Sequence, residues 1–266
     1  MSTFDYRHDW QSYDGPDGTK PGCLPRESKP GDLCPLASER ITVIPRREWS
    51  DLIEQREQEG VTARILVDDV LSQDGVGSCA SEKTAGIEMA TRALAGMEHV
   101  LLNPWSLYAW TSGGRDGGSS VDSNMQRARD VGIMPMEIWP RSKGWRAKPS
   151  QDLLDEYASK YRIDEFYDIQ TRDEFASALL QGFLVGYGRR GHAIAGVEML
   201  DEDRFLYLNS WGDWGDGGFG VDRLSRDINF GYGAFAVRTA VGDGTTRQGM
   251  SEMPRCEVNE WKEDNH

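Results

Sequence analysis

Residues 73–79, Gln-Asp-Gly-Val-Gly-Ser-Cys, lead directly into a helical pattern that begins at Ala80. Cys79 therefore lies at the start of a predicted helix, where backbone N–H groups lack intrahelical partners and the helix dipole favours negative charge. Such a position stabilises a thiolate, the nucleophilic form of cysteine. Gln73 can direct its side-chain amide at charge that develops on a substrate oxygen. An isolated cysteine is more often a small core residue, so this stretch alone leaves both interpretations open.

Two later segments supply the other groups that a thiol nucleophile requires. His192 lies in the apolar stretch 191–197, and Asn209 follows a second apolar strand in residues 208–212. A lone histidine in a strand is commonly a hydrogen-bonded core residue. A catalytic cysteine, however, needs a base to take its proton, and the base needs a third group that orients its imidazole. Cys79, His192 and Asn209 in this order along the chain predict a nucleophilic triad.

Taken together, these segments resemble the papain-like cysteine peptidases. The resemblance covers about residues 64–240. It rests on residues 73–79, on His192 with the apolar strand after it, and on residues 209–212, Asn-Ser-Trp-Gly, followed by residues 214–219, Trp-Gly-Asp-Gly-Gly-Phe. Bacterial and phage members of the family often lack a propeptide, and no sequence like the family's helical propeptide is present here.

The resemblance implies an α+β papain-like fold of two lobes with the active-site cleft between them. A helical lobe is expected over about residues 74–165, and an antiparallel, β-barrel-like lobe over about residues 166–240. The order of helical patterns first and strand patterns later also favours an α+β architecture with segregated lobes. The peptidase domain then lies between residues 1–63, an extended arm with a short helix, and residues 241–266, a polar tail.

The family likeness also assigns roles within the cleft. Cys79 is the expected nucleophile and His192 the general acid and base, with Asn209 orienting the imidazole. Gln73 is expected to bind the oxyanion together with the Cys79 backbone N–H, and Trp211 to cover the histidine–asparagine hydrogen bond. Cys79 would stand on the helical wall of the cleft, and the other two triad members on the sheet wall.

A pair of glycines, Gly117 and Gly118, occupies the place where family members hydrogen-bond an extended substrate backbone. Strand addition of this kind requires a close backbone approach, which glycine permits. Ala80 stands where family members usually carry an aromatic residue after the nucleophile, so the shape of the cleft is expected to differ.

Hydrophobic periodicity and capping residues predict the elements that carry these groups. Predicted helices run from Ser50 to before residue 60, over 80–95, from Pro104, over 121–131 after a serine cap at 119 or 120, over 151–161, and from a capping box at 171–174 to 182. Predicted strands cover residues 41–44, 183–187, 192–200, 204–208, 219–221 and 233–239.

The amino-acid composition of the chain disfavours some classes of binding partner. Asp and Glu number 44 against 30 Lys and Arg, and the formal net charge of −14 disfavours nucleic acids and anionic membranes. No apolar run approaches the roughly 20 residues of a membrane span, and the first residues carry no signal-peptide core. We therefore expect a cytoplasmic protein, or a virion protein if the source is a phage, that acts on polypeptides without a metal or organic cofactor.

The cysteines agree with a reducing compartment. If Cys79 is the nucleophile, then Cys23, Cys34 and Cys256 remain, and three cysteines cannot all pair within one chain. Secreted members of the papain-like family commonly carry a disulfide just before the nucleophile, where this chain has Val76. Cys23 and Cys34 could pair or bind a metal, but their spacing matches no recognised zinc pattern.

Residues 1–40 contain prolines at positions 16, 21, 25, 30 and 35 and few apolar residues. This composition predicts extended, polyproline-like chain. Such an arm could dock to an assembly partner or shield the cleft, but composition favours a solvated leader.

The sequence is therefore compatible with three alternative functions. The first is a cysteine endopeptidase that forms a thioester acyl-enzyme at Cys79. The second is a peptidoglycan amidopeptidase, because several Cys–His hydrolases cut cell-wall peptides. The third is a non-catalytic protein built on the same fold, for instance a component of a phage particle that uses its arm for assembly.

Overall fold

The structure is a computed structural model that describes residues 20–59, 62–189 and 191–240. Cys256, the predicted tail and residues 1–19 of the predicted arm lie outside the described residues. The described helices are α1 Trp49–Gln58, α2 Cys79–Leu94, α3 Trp105–Thr111, α4 Val121–Asp130, α5 Gln151–Glu156, α6 Arg172–Leu180 and the single turn α7 Trp214–Gly217. The described strands are β1 Cys23–Leu24, β2 Ser119–Ser120, β3 Ile163–Asp168, β4 Leu184–Arg189, β5 His192–Met199, β6 Arg204–Leu208, β7 Phe219–Arg223 and β8 Ala234–Ala240.

One antiparallel sheet forms the second half of the molecule. Its six strands follow the order β3-β8-β4-β5-β6-β7, and every neighbouring pair is antiparallel. Strands β3 and β7 are the edges among the described residues, so the expected barrel-like lobe is an open sheet. The predicted α+β class with a helical part followed by a sheet is confirmed.

Helix α2 is the central element of the helical part. Small residues such as Ala85, Gly86 and Ala90 let it pack closely, and almost its whole length is buried. It contacts β4, β5 and β8 on one side and α3 and α4 on the other. A Cβ added at Gly86 would lie 3.6 Å from Leu208 of β6, which is ordinary packing contact. This burial on several sides fixes the position of Cys79, the first residue of the helix.

Local capping signals place two other helices as predicted. Thr171 and Glu174 form the predicted capping box at the start of α6, with each side chain bonded to the other residue's backbone N–H. Ser120 caps α4 by accepting a hydrogen bond from the Ser123 N–H. Helix α1 begins instead at Trp49, because the Ser50 hydroxyl donates to Glu202 and caps no helix.

The strand predicted over residues 41–44 is not formed. The backbone there is held by side chains instead: the Ile44 N–H donates to the Ser177 hydroxyl at 2.9 Å, and the indole N–H of Trp49 donates to the Ile44 carbonyl at 2.9 Å. These bonds satisfy the segment without a neighbouring strand. Strand β3, by contrast, was not predicted, because its acidic residues hide the apolar alternation of this edge strand.

The solvated leader favoured by composition is wrong for the described part of the arm. Cys23, Cys34 and Ala37 are buried against the body. Arg26 forms an ion pair with Asp168 at 2.7 Å, and both side chains are at least nine-tenths buried. A buried, bidentate arginine–carboxylate pair of this kind holds the chain in a defined position.

Cys23, Cys34 and Cys79 are free thiols. In the described ranges, no group of three or more His, Cys, Asp or Glu side chains is placed to hold a metal ion. None of the described helices combines the length and apolar character needed to cross a membrane.

The buried carboxyl of Glu88 on α2 should make the free energy of unfolding depend on pH. Burial raises the pKa of this carboxyl to about 8, Arg92 offsets part of that effect, and neither carboxyl oxygen has a hydrogen-bond partner among the described residues. Its folded pKa exceeds its unfolded value, so the fold loses stability as the pH rises from the ordinary carboxyl pKa of 4.5 toward 8, and the loss levels off above 8. We expect Glu88→Gln to raise the free energy of unfolding by about 2 kcal/mol at pH 9 and little at pH 5. Denaturant unfolding at the two pH values measures the difference; an equal gain at both would contradict this account.

Candidate active site

A tight turn brings Gln73 beside the start of helix α2. Asp74 and Gly75 both adopt positive φ, 50° and 74°, and the Val76 N–H donates to the Gln73 carbonyl at 3.0 Å. The Gln73 N–H in turn donates to the Ser210 carbonyl at 3.0 Å, which ties this turn to the segment after β6. The helical part and the sheet therefore meet at the turn that precedes Cys79.

His192 and Asn209 lie side by side on the sheet. His192 opens β5 and Asn209 follows β6, and the His192 Nε2 lies 2.8 Å from the Asn209 Oδ1. The Ser210 N–H donates to the same oxygen at 2.8 Å, which identifies this atom as the amide oxygen. An oxygen cannot donate, so Nε2 carries the imidazole proton and Nδ1 is left as a proton acceptor.

The Trp211 indole lies against His192 and Gln73. Its ring stacks on the His192 imidazole with centroids 4.6 Å apart and 23° between the planes. Its N–H donates to the Gln73 side-chain oxygen at 3.0 Å, which turns the amide nitrogen of Gln73 toward the cleft. Trp211 thus positions the predicted base and the predicted oxyanion donor together.

Cys79 and His192 do not form a hydrogen bond in this conformation. The His192 Nδ1 is buried and has no hydrogen-bond partner among the described residues. The sulfur of Cys79 is fully buried and lies close to the backbone of Ala193, Gly22 and Ala80. Burial outweighs the opposing effect of these backbone groups and raises the thiol pKa to about 11, while burial lowers the pKa of His192 to about 4. Both groups are therefore neutral at pH 7.

The arm is what covers the thiol. Residues 20–24 run through the space between the helical wall and the sheet wall as extended chain. The N–H groups of Gly22 and Cys23 donate to the Gly191 carbonyl at 3.0 and 2.8 Å, next to His192. The Lys20 carbonyl accepts a hydrogen bond from the Gln73 amide nitrogen at 2.8 Å. The Gln73 amide, which is predicted to bind an oxyanion, therefore already donates to a peptide carbonyl of the arm.

The predicted backbone-binding glycines are used in part. The Ser119 N–H donates to the Gly22 carbonyl at 2.8 Å, and β1 pairs with β2 in parallel. A Cβ at Gly118 would lie 2.3 Å from that carbonyl oxygen, so the approach requires glycine. Gly117 has open space around its Cβ position. The Gly118 N–H donates instead to the Tyr108 hydroxyl at 3.0 Å. The chain in the cleft is therefore hydrogen-bonded by Ser119, and Gly118 only allows its close approach.

Sequence reasoning missed two residues that hold the turn before Cys79. Arg141 donates to the Ser72 carbonyl, to Asp74 at 3.0 Å and to the buried Glu82 of α2 at 2.6 Å. Asp116 accepts from the Gly77 N–H at 2.8 Å. Both partners lie far away in sequence, and neither segment carries a local signal for the contact.

The fold has been observed in cysteine proteases from several organisms. Xylellain, a cysteine protease from Xylella fastidiosa, has a TM-score of 0.60 and 16% identity over 82% of this chain and 95% of its own. A digestive procathepsin L of Tenebrio molitor has a TM-score of 0.58 and 18% identity, over 80% of this chain and 75% of its own. A Carica candamarcensis cysteine protease, solved with E-64, has a TM-score of 0.53 and 17% identity, over 67% of this chain and 98% of its own.

The sequence itself matches no protein-family model and no curated protein. The likeness is therefore carried by the three-dimensional arrangement of the α2 helix, the antiparallel sheet and the cleft between them. On that arrangement, this chain has the papain-like cysteine protease fold.

Proposed function

We propose that this protein is a cysteine endopeptidase that hydrolyses peptide bonds through a thioester acyl-enzyme on Cys79. The observation that carries the proposal is the extended chain in the cleft. Its Lys20 carbonyl accepts from the Gln73 amide, and its Gly22 and Cys23 N–H groups donate to the Gly191 carbonyl next to His192. A cleft that binds peptide backbone beside the predicted oxyanion donor and the predicted base is arranged for acyl transfer.

In the proposed reaction, His192 takes the thiol proton at Nδ1 while Nε2 donates to Asn209. The Cys79 sulfur attacks the substrate carbonyl carbon, and the oxyanion is stabilised by the Gln73 amide and the Cys79 backbone N–H. The imidazolium then gives its proton to the leaving amine as the carbon–nitrogen bond breaks. Water, deprotonated by the same imidazole, hydrolyses the thioester and restores the thiol.

Proton transfer requires that the arm leave the cleft. With the arm in place, burial keeps the thiol protonated and the imidazole neutral. Removing residues 20–24 would hydrate both groups, and the helix N-terminus would then favour the thiolate. We therefore place the described conformation before activation.

The test is digestion of two substrates, a denatured protein and purified cell wall, by a protein whose arm is displaced and by the same protein carrying Cys79→Ala. Gly22→Ala displaces the arm, because the added Cβ would lie 2.1 Å from the carbonyl oxygen of Gly77. We expect new peptides from the denatured protein and a loss of at least about 10³-fold in rate for Cys79→Ala, because the substitution removes the nucleophile that forms the acyl-enzyme. Cleavage of cell wall alone would identify an amidopeptidase instead. Equal rates for the two proteins would exclude Cys79 as the nucleophile.

The complete burial of Cys79 favours one other function, a non-catalytic protein whose arm permanently fills the cleft. In that case the free protein would cleave neither substrate, even after the arm is displaced. Size-exclusion chromatography of the full chain and of a chain lacking residues 1–19 would then be expected to show an assembly that depends on the arm.

A further inference from the structure

The arm inserts the side chain of Cys23 into a pocket of the cleft. Cys23 is 5% exposed, and its sulfur lies 2.9 Å from where a Cβ of Gly188 would stand. Tyr232 borders the same space, with its Cβ 2.3 Å from that position. Any side chain at residue 188 would fill the pocket, so glycine on β4 is what creates it.

Lys83 lies at the inner end of the same pocket. Its Nζ lies 2.6 Å from where a Cβ of Gly186 would stand, and Gly186 and Gly188 face the same side of β4. Positions two residues apart on a strand are separated by about 6.6 Å. The thiol of Cys23 and the amine of Lys83 therefore lie against neighbouring positions on one face of β4.

The amine has no partner in this conformation. Lys83 is 4% exposed, and its Nζ has no hydrogen-bond partner among the described residues. Burial lowers its pKa to about 7, opposed by the charges of Cys23 from the arm, Cys79 from its own helix and Asp122 from α4. An unpaired buried amine is costly, and it is rarely kept without a ligand or a function.

Asp122 is not the hydrogen-bond partner of the Lys83 amine. One of its carboxylate oxygens accepts the N–H groups of Glu27 and Ser28, at 2.9 and 2.7 Å, and so holds the arm. Neither oxygen bonds to Lys83. The amine is left to meet whatever side chain enters the pocket from the cleft.

We propose that, once the arm leaves, this pocket receives an acidic side chain of the polypeptide substrate and that Lys83 is its ammonium partner. The proposal rests on the proposed peptidase function and names its substrate class: polypeptides with glutamate at the residue that occupies the place of Cys23. A glutamate carboxylate extends one carbon beyond the γ position that the Cys23 sulfur occupies, which brings it toward Nζ. A charge-assisted hydrogen bond in a buried pocket strongly favours the carboxylate over its amide.

The first test uses the arm itself as the ligand and needs no peptidase activity. Cys23→Glu and Cys23→Gln place isosteric charged and neutral side chains in the pocket. We expect Cys23→Glu to melt about 3 °C or more above Cys23→Gln, and the Cys79 thiol to react with iodoacetamide about tenfold more slowly. Both differences should vanish when Lys83→Met is added. Equal values for the two variants, or a difference that survives Lys83→Met, would overturn the proposal.

The second test reads the substrate directly. A positional-scanning peptide library is cleaved with the Gly22→Ala protein, in which the arm is displaced, and with the same protein carrying Lys83→Met. We expect glutamate to exceed glutamine about tenfold in kcat/KM at one position, and Lys83→Met to bring the ratio of the two close to one. Cleavage without an acidic preference would overturn this inference alone. Absence of any cleavage would overturn the proposed function, and the arm variants would still decide the role of Lys83.

Discussion

Gly22→Ala is expected to open the cleft and raise the reaction rate of Cys79 with thiol reagents by about tenfold or more. An added Cβ at Gly22 would lie 2.1 Å from the carbonyl oxygen of Gly77 and 2.4 Å from its carbonyl carbon. Both are backbone atoms of the turn that Asp116 holds, so they cannot move aside easily. The alanine therefore displaces the arm from the thiol, and peptidase activity should rise in parallel.

The measurement is the rate of iodoacetamide modification, followed by mass spectrometry, beside the rate of peptide cleavage. Gly86→Ala is the matched control, because its added Cβ would meet Leu208 at an ordinary 3.6 Å inside helix α2. The control should leave both rates close to wild type. If Gly22→Ala behaved like Gly86→Ala, the arm would not be what limits access to Cys79.

In the Gly22→Ala background, His192→Ala is expected to lower kcat/KM for peptides by at least about 10³-fold. The imidazole Nδ1 is the unoccupied proton acceptor of the cleft, and its orientation is held by Asn209 and Trp211. Without it, the thiol keeps its proton near neutral pH and the leaving amine has no acid.

His99→Ala provides the comparison for that loss. His99 is a partly exposed histidine that pairs with Asp69 at 2.7 Å. Its replacement removes an imidazole of the same chain without touching the cleft, so activity should stay near that of the parent variant. A similar fall for both substitutions would mean that the loss at His192 reflects general damage to the fold.

The sequence predicted those parts of the fold that depend on neighbouring residues. Helix α2, the capping box of α6 and the serine cap of α4 follow from spacing and capping groups a few positions apart. Strand β3 was missed because Asp164 and Glu165 disguise it, and its place is set by pairing with β8, far along the chain. The strand predicted over residues 41–44 failed because the Ile44 backbone bonds to side chains of α1 and α6, Trp49 and Ser177, rather than to another strand.

The candidate site was predictable to the same degree. Cys79, His192 and Asn209 carry recognisable local patterns, and the structure brings the last two into hydrogen-bond contact. The position of the arm was not predictable, since its contacts join residues 20–24 to segments around residues 77, 119 and 191. The composition of the arm shows only that it is polar. The arm packs by close approach of glycine backbones, which produces no hydrophobic pattern in the sequence.

The central claim is that Cys79 becomes a nucleophile activated by His192 when the cleft is open. Treatment of the Gly22→Ala protein with a papain-type epoxide inhibitor near neutral pH, followed by peptide mass spectrometry, tests it most directly. We predict one adduct, on Cys79, that is lost when His192→Ala is added. An adduct on Cys23 or Cys34 in its place, or labelling of Cys79 that is unchanged without the imidazole, would contradict the claim.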